Sequence, residues 1–444
     1  MKHIQIKFFF IATLVLLLSS GCKKLLEEKP RSIYTPEFFK TEKGVLGGIT
    51  SQYAHLRFIY GQPFYYNSLE TGTDEYTYAQ SSDANQRDMD YSSVSNLTGA
   101  TSRSDVLWGV AFSNINTASG IIENAEIVGT IPASLIAEAR FFRAFDYFML
   151  VQTFGGVPLD LGAGELKFNT TASRTSVRNT VPQVYTKAIF PDLLKAVDDL
   201  PAVPRATGTA SKTLARLYLA KAYLTYAWWL QNPNNIPTYP DAPRTDPDGH
   251  DAPWYFQKAY EVALQGIDQA GTTFGLLDNF YDVHVGGNDR NKEMLLYADH
   301  TDQSEFYNGS PLTGFQSEIG NDGRNSAVWF VTSNYTVLTS APNPDGTGNS
   351  TYANGANTVQ REAAQPYGRP YIRMAPPIGV FTNTFVEKTL DSRYDGTFNA
   401  VYRGNWNKAG INVTTFYNAN DMPVTLGQPI LSFLETDADA AGIV

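Results

Sequence analysis

The stretch Ala137-Glu138-Ala139-Arg140-Phe141-Phe142-Arg143-Ala144-Phe145-Asp146-Tyr147-Phe148, followed shortly by Phe154-Gly155-Gly156-Val157-Pro158-Leu159, decides the fold. Phe141, Ala144, Phe148 and Val151 recur at spacings of three and four, the period of one helix face. Gly155-Gly156-Val157-Pro158 then stops the helix, because neither glycine nor proline favours its continuation. Small residues alternate with aromatics on the packing face, as at Ala144/Phe148 and again at Ala222/Tyr226, the way tetratricopeptide helices interlock.

Outward from this segment the helical period recurs. Val45, Ile49, Tyr53 and Leu56 follow a Thr35-Pro36 start. Trp108, Phe112, Ile115, Ile122 and Ala125 form a second stripe. Thr180-Val181-Pro182 opens a helix with Phe190, Leu193, Val197 and Leu200 on one face, kinked or restarted at Pro191. Ser211 is placed to cap a helix through Ala215, Leu219, Ala222, Tyr226 and Trp229, and Tyr255, Ala259, Val262 and Gly266 make one more. Trp108, Phe141, Phe148, Trp228 and Trp229 are read as scaffold. The repeat is loose, which predicts an irregular stack with long loops over 74–103 and 236–251. After Gly271 the period is lost. Glu293–Tyr297 is expected to form a short strand, and few elements are predicted over 300–377.

The chain has 444 residues, a net charge of −10 and one cysteine, so it can bury a large core but form no internal disulfide and no cysteine-rich zinc site. Its acidity, with no basic block, argues against a nucleic-acid partner. Lys2 and Lys7 precede and flank an apolar run, Phe8 to Leu18, that is too short for a span of roughly 20 residues. The run reads as a signal-peptide core. Leu18-Ser19-Ser20-Gly21-Cys22 looks like a bacterial lipobox, in which cleavage leaves Cys22 acylated at the new terminus. Globomycin is expected to make an uncleaved precursor accumulate; maturation indifferent to the drug and to Cys22→Ala would refute the anchor.

No Walker A loop, G-x-G-x-x-G, H-E-x-x-H, G-x-S-x-G or C-x-x-C occurs. The histidines are dispersed. Asp246, Asp248 and Asp251 around Gly249 lack the glycine and glutamate of a calcium loop and read as a solvated acidic turn. No catalytic residue, cofactor or metal ligand is therefore assigned. With 44 acidic residues, sequence spacing alone leaves open a glycan-active hydrolase using two facing carboxylates on an α-helical scaffold.

Four segments together resemble the SusD/RagB family of outer-membrane nutrient-binding lipoproteins. Val106-Leu107-Trp108 through Asn116 to Glu123-Asn124-Ala125 is similar to its W…I…N…I repeat. Ala137–Phe148 running into Phe154–Leu159 is the most specific match. Ser211-Lys212 through Ala215, Leu219-Ala220 and Tyr223-Leu224 resembles the next repeat, and Asp391-Ser392-Arg393-Tyr394 its D-x-R motif. The resemblance implies a mainly α fold: a tetratricopeptide-like helical scaffold with an irregular, loop-rich ligand-binding part. It implies no catalysis, capture of an oligosaccharide or polysaccharide, a TonB-dependent (SusC-like) outer-membrane transporter as partner, and a lipid anchor in the outer membrane facing the exterior. Residues 1–21 are then a signal peptide, 22–33 a lipidated tether, 34–271 the scaffold with inserted loops and 272–444 the loop-rich part. Members usually continue past the D-x-R motif into a final helical repeat with a basic-L-A-E…A-E-A pattern, which is not present before Val444. The sequence is accordingly expected to be a fragment, and an in-frame stop after codon 444 would refute that.

Sugar rings present apolar C–H faces and a rim of hydroxyls, so a ligand site needs aromatics beside polar side chains. Loop residues that meet this requirement are Tyr76, Tyr78 and Tyr91 with Asp74 and Arg87, and Phe306, Tyr307 and Trp329 with Asn321 and Arg324. The acidity of the chain favours a neutral glycan.

Overall fold

The computed structural model describes residues 35–60, 70–79, 82, 87, 104–171, 176–299, 374–398, 401–403, 416–417, 423–425 and 427–432. The signal peptide, Cys22 and the whole tether lie outside the described residues, as do Tyr91, Phe306, Tyr307, Asn321, Arg324 and Trp329.

Helices dominate. After a 3-10 turn at Pro36–Lys40, α1 runs Glu42–Ile59, with the Thr41 side chain accepting from the Gly44 N–H. A two-residue strand β1 (Thr77–Tyr78) precedes α2 (Ser104–Val128) and α3 (Ala133–Phe154). A short α4 (Val181–Val184) opens with a reciprocal capping box between Thr180 and Gln183. It passes through a π turn at Tyr185–Ile189 into α5 (Phe190–Asp199), which carries Pro191 in its first turn. Pro191 has no N–H to give back to the preceding turn, and the wider π turn is where the helix absorbs this. α6 (Lys212–Gln231) is capped by Ser211, whose Oγ accepts from the Leu214 N–H at 3.2 Å. α7 (Ala252–Asp268) is capped in the same way by Asp251 at 2.9 Å from the Trp254 N–H.

Helices α1, α2, α3, α5, α6 and α7 pack mainly on their neighbours in this order, a stack in which each helix covers the next. The large core runs from Leu56 and Leu107 through Phe141, Phe145, Tyr185 and Leu219 to Tyr255, and a smaller core gathers Phe39, Ile49, Ile121 and Leu135. Beyond α7 come a short α8 (Phe280–His284), β2 (Met374–Ala375), α9 (Arg393–Thr397) and four short strands: β3 (Val401–Arg403), β4 (Phe416–Tyr417), β5 (Pro423–Val424) and β6 (Pro429–Ser432). The strands pair antiparallel as β1–β2, β3–β6 and β4–β5.

The charged residues of α3 tie the stack together from inside. Arg143, 5% exposed, donates from Nε to Asp192 at 2.6 Å and from Nη2 at 2.9 Å, and Arg140 reaches the same carboxylate at 2.7 Å. Glu138 accepts from the Tyr53 hydroxyl at 2.7 Å and from Arg205 at 2.5 Å. Burial first, and then the Glu138 charge, pushes the Tyr53 hydroxyl well up from its ordinary value, so it stays protonated as a donor. Asp146 bonds His55 at 2.7 Å and Asn114 at 2.6 Å. One helix thereby reaches α1, α2, α5 and the loop before α6.

Three expectations change. Glu293–Tyr297 is not a strand: the Met294 N–H donates to the Asn291 carbonyl in a turn, while the Glu293 carboxylate is drawn aside to the Leu277 N–H at 2.8 Å. Trp228 is not core scaffold but 51% exposed, on the outer side of α6, where it meets Phe256 edge-on at 5.2 Å. The turn at Asp246 is not a solvated one. Its carboxylate is buried and accepts from the hydroxyls of Tyr226 and Tyr255 and from the N–H groups of Asp248 and His250.

Gln52 on α1 is fully buried, yet among the described residues neither its carbonyl nor its amine finds a hydrogen-bond partner. A buried polar group left unmade costs about 1–3 kcal/mol, so Gln52→Met is expected to stabilise the chain by about 1–2 kcal/mol. The urea midpoint reads this out. An unchanged or lower midpoint would mean that a trapped water already satisfies the amide.

Candidate functional site

The Phe154–Leu159 motif brings three distant segments together. Gly155, at φ 73°, lets the chain turn sharply after α3, and a Cβ there would stand 2.5 Å from the Tyr239 carbonyl oxygen. A Cβ on Gly156 would stand only 2.0 Å from the Asn179 carbonyl oxygen. This close approach allows the Gly156 N–H to donate to the Tyr239 carbonyl at 2.6 Å and the Asn179 side chain to accept from the Leu159 N–H at 2.9 Å.

Arg178 is held at this junction. Its Nη1 donates to the carbonyls of Phe154 (3.0 Å) and Gly156 (3.1 Å), groups that the end of α3 leaves without helical partners. The guanidinium carbon lies 5.3 Å from the Trp108 ring and 4.8 Å from the Tyr239 ring, between two aromatic faces. Trp108 in turn meets Phe154 edge-on at 5.1 Å and Phe112 at 4.8 Å.

Beside this cluster opens a cleft of about 570 Å³. Trp108, Phe112, Pro158 and Leu161 give it an apolar base, and Ser113, Asn116, Asn169, Thr170, Thr171 and Ser176 give it a neutral polar rim. Its walls are locked to each other. Asn116 donates to the Asn169 carbonyl at 2.8 Å and accepts from the Asn169 N–H at 2.9 Å, while the Asn169 side chain bonds the Leu161 carbonyl and the Thr171 N–H. Among the described residues, none of the lining side chains is ionisable. The hydroxyls of Ser113, Thr170, Thr171 and Ser176 make no hydrogen bond to the described protein, which leaves them free to address a ligand.

The sequence-predicted residues fall elsewhere. Asp74, Tyr76 and Tyr78 share one turn, closed by the Gly72 N–H on the Tyr76 carbonyl (2.9 Å) and by Thr73 Oγ1 accepting from the N–H groups of Glu75 and Tyr76. β1 is anchored there by pairing Thr77 with Ala375 and Tyr78 with Met374. Asp74 is exposed, Tyr76 is half-buried and Tyr78 is 39% exposed. Burial, followed by the charges of Glu70 and Glu75, raises the Tyr76 hydroxyl above its ordinary value. Arg87 is exposed and donates to the Ser82 carbonyl at 3.2 Å, not to Asp74. Asp391 and Arg393 of the D-x-R motif form a bidentate pair at the start of α9, at 2.8 and 2.5 Å, which holds the Asp391 carboxyl below its usual range.

Sequence reading missed the cleft because it took Trp108 and Phe112 as members of the core stripe. The structure splits that stripe. Leu107, Ala111, Ile115 and Ala118 face the core, whereas Trp108, Phe112 and Asn116, one position on, run at spacings of four along the cleft. An asparagine ending an aromatic i, i+4 series was the available signal. Among the described residues no group of three His, Cys, Asp or Glu side chains is placed to hold a metal, and no helix is long and apolar enough to cross a membrane.

A sequence profile of the SusD-like family, described as starch-binding and associating with the outer membrane, matches residues 26–224. SusD-like protein P2 of Formosa agariphila is 30% identical over 227 residues, 49% of this chain and 43% of that protein. The chain thus aligns with less than half the length of this curated relative. A SusD homolog from Bacteroides thetaiotaomicron superposes with a TM-score of 0.56 at 18% identity, covering 92% of this chain and 65% of that one. A SusD superfamily protein from Bacteroides fragilis gives 0.51 at 18% identity, over 87% and 71%. These structures share the fold.

Proposed function

From the premise that the chain belongs to the SusD-like family, we propose that it is a non-catalytic, cell-surface lipoprotein that captures an oligosaccharide and passes it to a TonB-dependent outer-membrane transporter. The family match over residues 26–224, whose description joins starch binding to the outer membrane, carries this reading. Cys22 behind its lipobox supplies the anchor to the outer leaflet, and the helical stack supplies a rigid support for ligand-binding loops. Tyr76 and Tyr78, set in a turn pinned by β2, offer rings to the apolar faces of sugars, with Asp74 beside them for hydroxyls. The remaining loop aromatics, Tyr91, Phe306, Tyr307 and Trp329, with Arg87, Asn321 and Arg324, complete the candidate set.

The test is affinity electrophoresis of the mature chain through gels containing starch, laminarin, xyloglucan or pectin, with sugar release measured in parallel. At least one neutral polysaccharide is expected to retard the protein without being cut. Tyr76→Ala with Tyr78→Ala is expected to weaken retention several-fold, since stacking contributes about 0.5–1.5 kcal/mol per ring. Retardation by none of them would overturn the reading. Sugar release abolished by a single Asp or Glu substitution would make the protein a hydrolase. Detergent-solubilised outer membranes should yield a TonB-dependent transporter with the tagged chain, and its absence from the eluate would remove that partner.

A further inference from the structure

We propose that the cleft at Trp108 is itself a binding site for the ring of a neutral sugar, separate from the turn at Asp74–Tyr78. This inference rests on the glycan-binding reading and assigns to it a second location on the scaffold. The chemistry of the lining points to the ligand class. A pyranose needs an apolar surface under its C–H face and several uncharged donors and acceptors at its edge. Trp108, Phe112 and Leu161 supply the first, and Ser113, Asn116, Asn169, Thr170, Thr171 and Ser176 the second.

The cleft is pre-built. The reciprocal bonds between Asn116 and Asn169 use one donor and one acceptor of the Asn116 amide, and leave its second N–H and a lone pair unspent. A ligand would therefore find these groups already oriented, which lowers the ordering cost of binding. The volume, about 570 Å³, falls within the roughly 300–1,000 Å³ usual for small-molecule sites. An anionic sugar is disfavoured. Among the described residues, the Arg178 guanidinium is turned to the carbonyls of Phe154 and Gly156 and lies over the rings of Trp108 and Tyr239, and no lysine lines the cleft. Tyr239, 64% exposed on the other side of Arg178, extends the aromatic surface toward a second ring.

The experiment is calorimetric titration of the full chain with maltohexaose, laminarihexaose, cellohexaose, xylohexaose and an oligogalacturonate, repeated for two cleft-filling variants. Ser113→Trp and Thr171→Trp both start from exposed positions, so either one reports if the other misfolds. A neutral probe that binds the wild type is expected to lose about tenfold or more in affinity to each variant, at an unchanged thermal midpoint. The same probe should keep at least part of its affinity for the cleft in Tyr76→Ala. Binding that survives both cleft variants and is lost in Tyr76→Ala overturns the cleft site while leaving the glycan-binding reading in place. Preference for the oligogalacturonate overturns the neutral class. Failure of the wild type to bind any probe overturns both readings together.

Discussion

Asp192→Asn is expected to cost about 3–5 kcal/mol of stability, the range for breaking one side of a buried ion pair. Asp192 is 1% exposed and takes three charge-assisted bonds, two from Arg143 and one from Arg140. Asparagine keeps the shape but removes the charge, and turns one acceptor into a donor that faces a guanidinium. Arg143, itself 5% exposed, would then be held in the core with no negative charge beside it, only the one remaining amide oxygen, Ser119 Oγ and the Leu166 carbonyl, the last two at 3.2 Å. Water cannot reach it without opening the packing of α3 on α5. Arg140 is better placed, because it also pairs with the half-exposed Glu126. The denaturant midpoint of Asp192→Asn against wild type measures the effect. A loss below about 1 kcal/mol, the value of a solvated surface pair, would show that the network is hydrated and not buried. Replacing Asp192 and Arg143 together by apolar residues should recover much of the loss, because no unpaired charge is then left behind.

Gly156→Ala is expected to cost about 2–4 kcal/mol, as overpacking against a fixed backbone does. The new methyl would meet the Asn179 carbonyl at 2.0 Å and the Pro240 ring at 2.7 Å, and neither is the end of a flexible side chain. Relief requires the segments at 179 and 240 to move apart. That motion breaks the 2.6 Å bond from Gly156 to Tyr239 and removes a carbonyl that holds Arg178 between its two rings. The same chemical change at Gly266 should act in the opposite direction. Gly266 lies inside α7 with its nearest contact at 3.6 Å, so alanine there gains helix propensity of about 0.8–1.0 kcal/mol without a clash. Comparable effects of the two substitutions would refute the close-approach explanation.

Much of the scaffold was legible because helical signals are local. Ser211 precedes its apolar stripe and caps α6; Thr180 and Gln183 form a capping box; Gly155 ends α3 where the periodicity stops. Each of these is decided within a turn or two of chain. The strand expected at Glu293–Tyr297 failed for the corresponding reason. A strand needs a partner, and the run there has a suitable composition but no pairing neighbour among the described residues. The polar residues of α3 show the same divide. Their presence between phenylalanines was visible, but that Arg143 finds Asp192 49 residues on, or Asp146 finds His55 91 residues back, was not.

By itself, the sequence determined the order and ends of the helices and carried the resemblance to the SusD-like family, because caps, periodicity and motifs are properties of neighbouring residues. The tertiary structure alone decided which side of α2 faces the core and which faces the cleft, a matter of one position in the stripe. It also decided that Trp228 looks outward, and that Arg178 meets both Trp108 and Tyr239 across gaps of many residues. The physical reason is that a side chain's surroundings are set by elements packed from elsewhere in the chain, and residue spacing carries no record of which element will arrive.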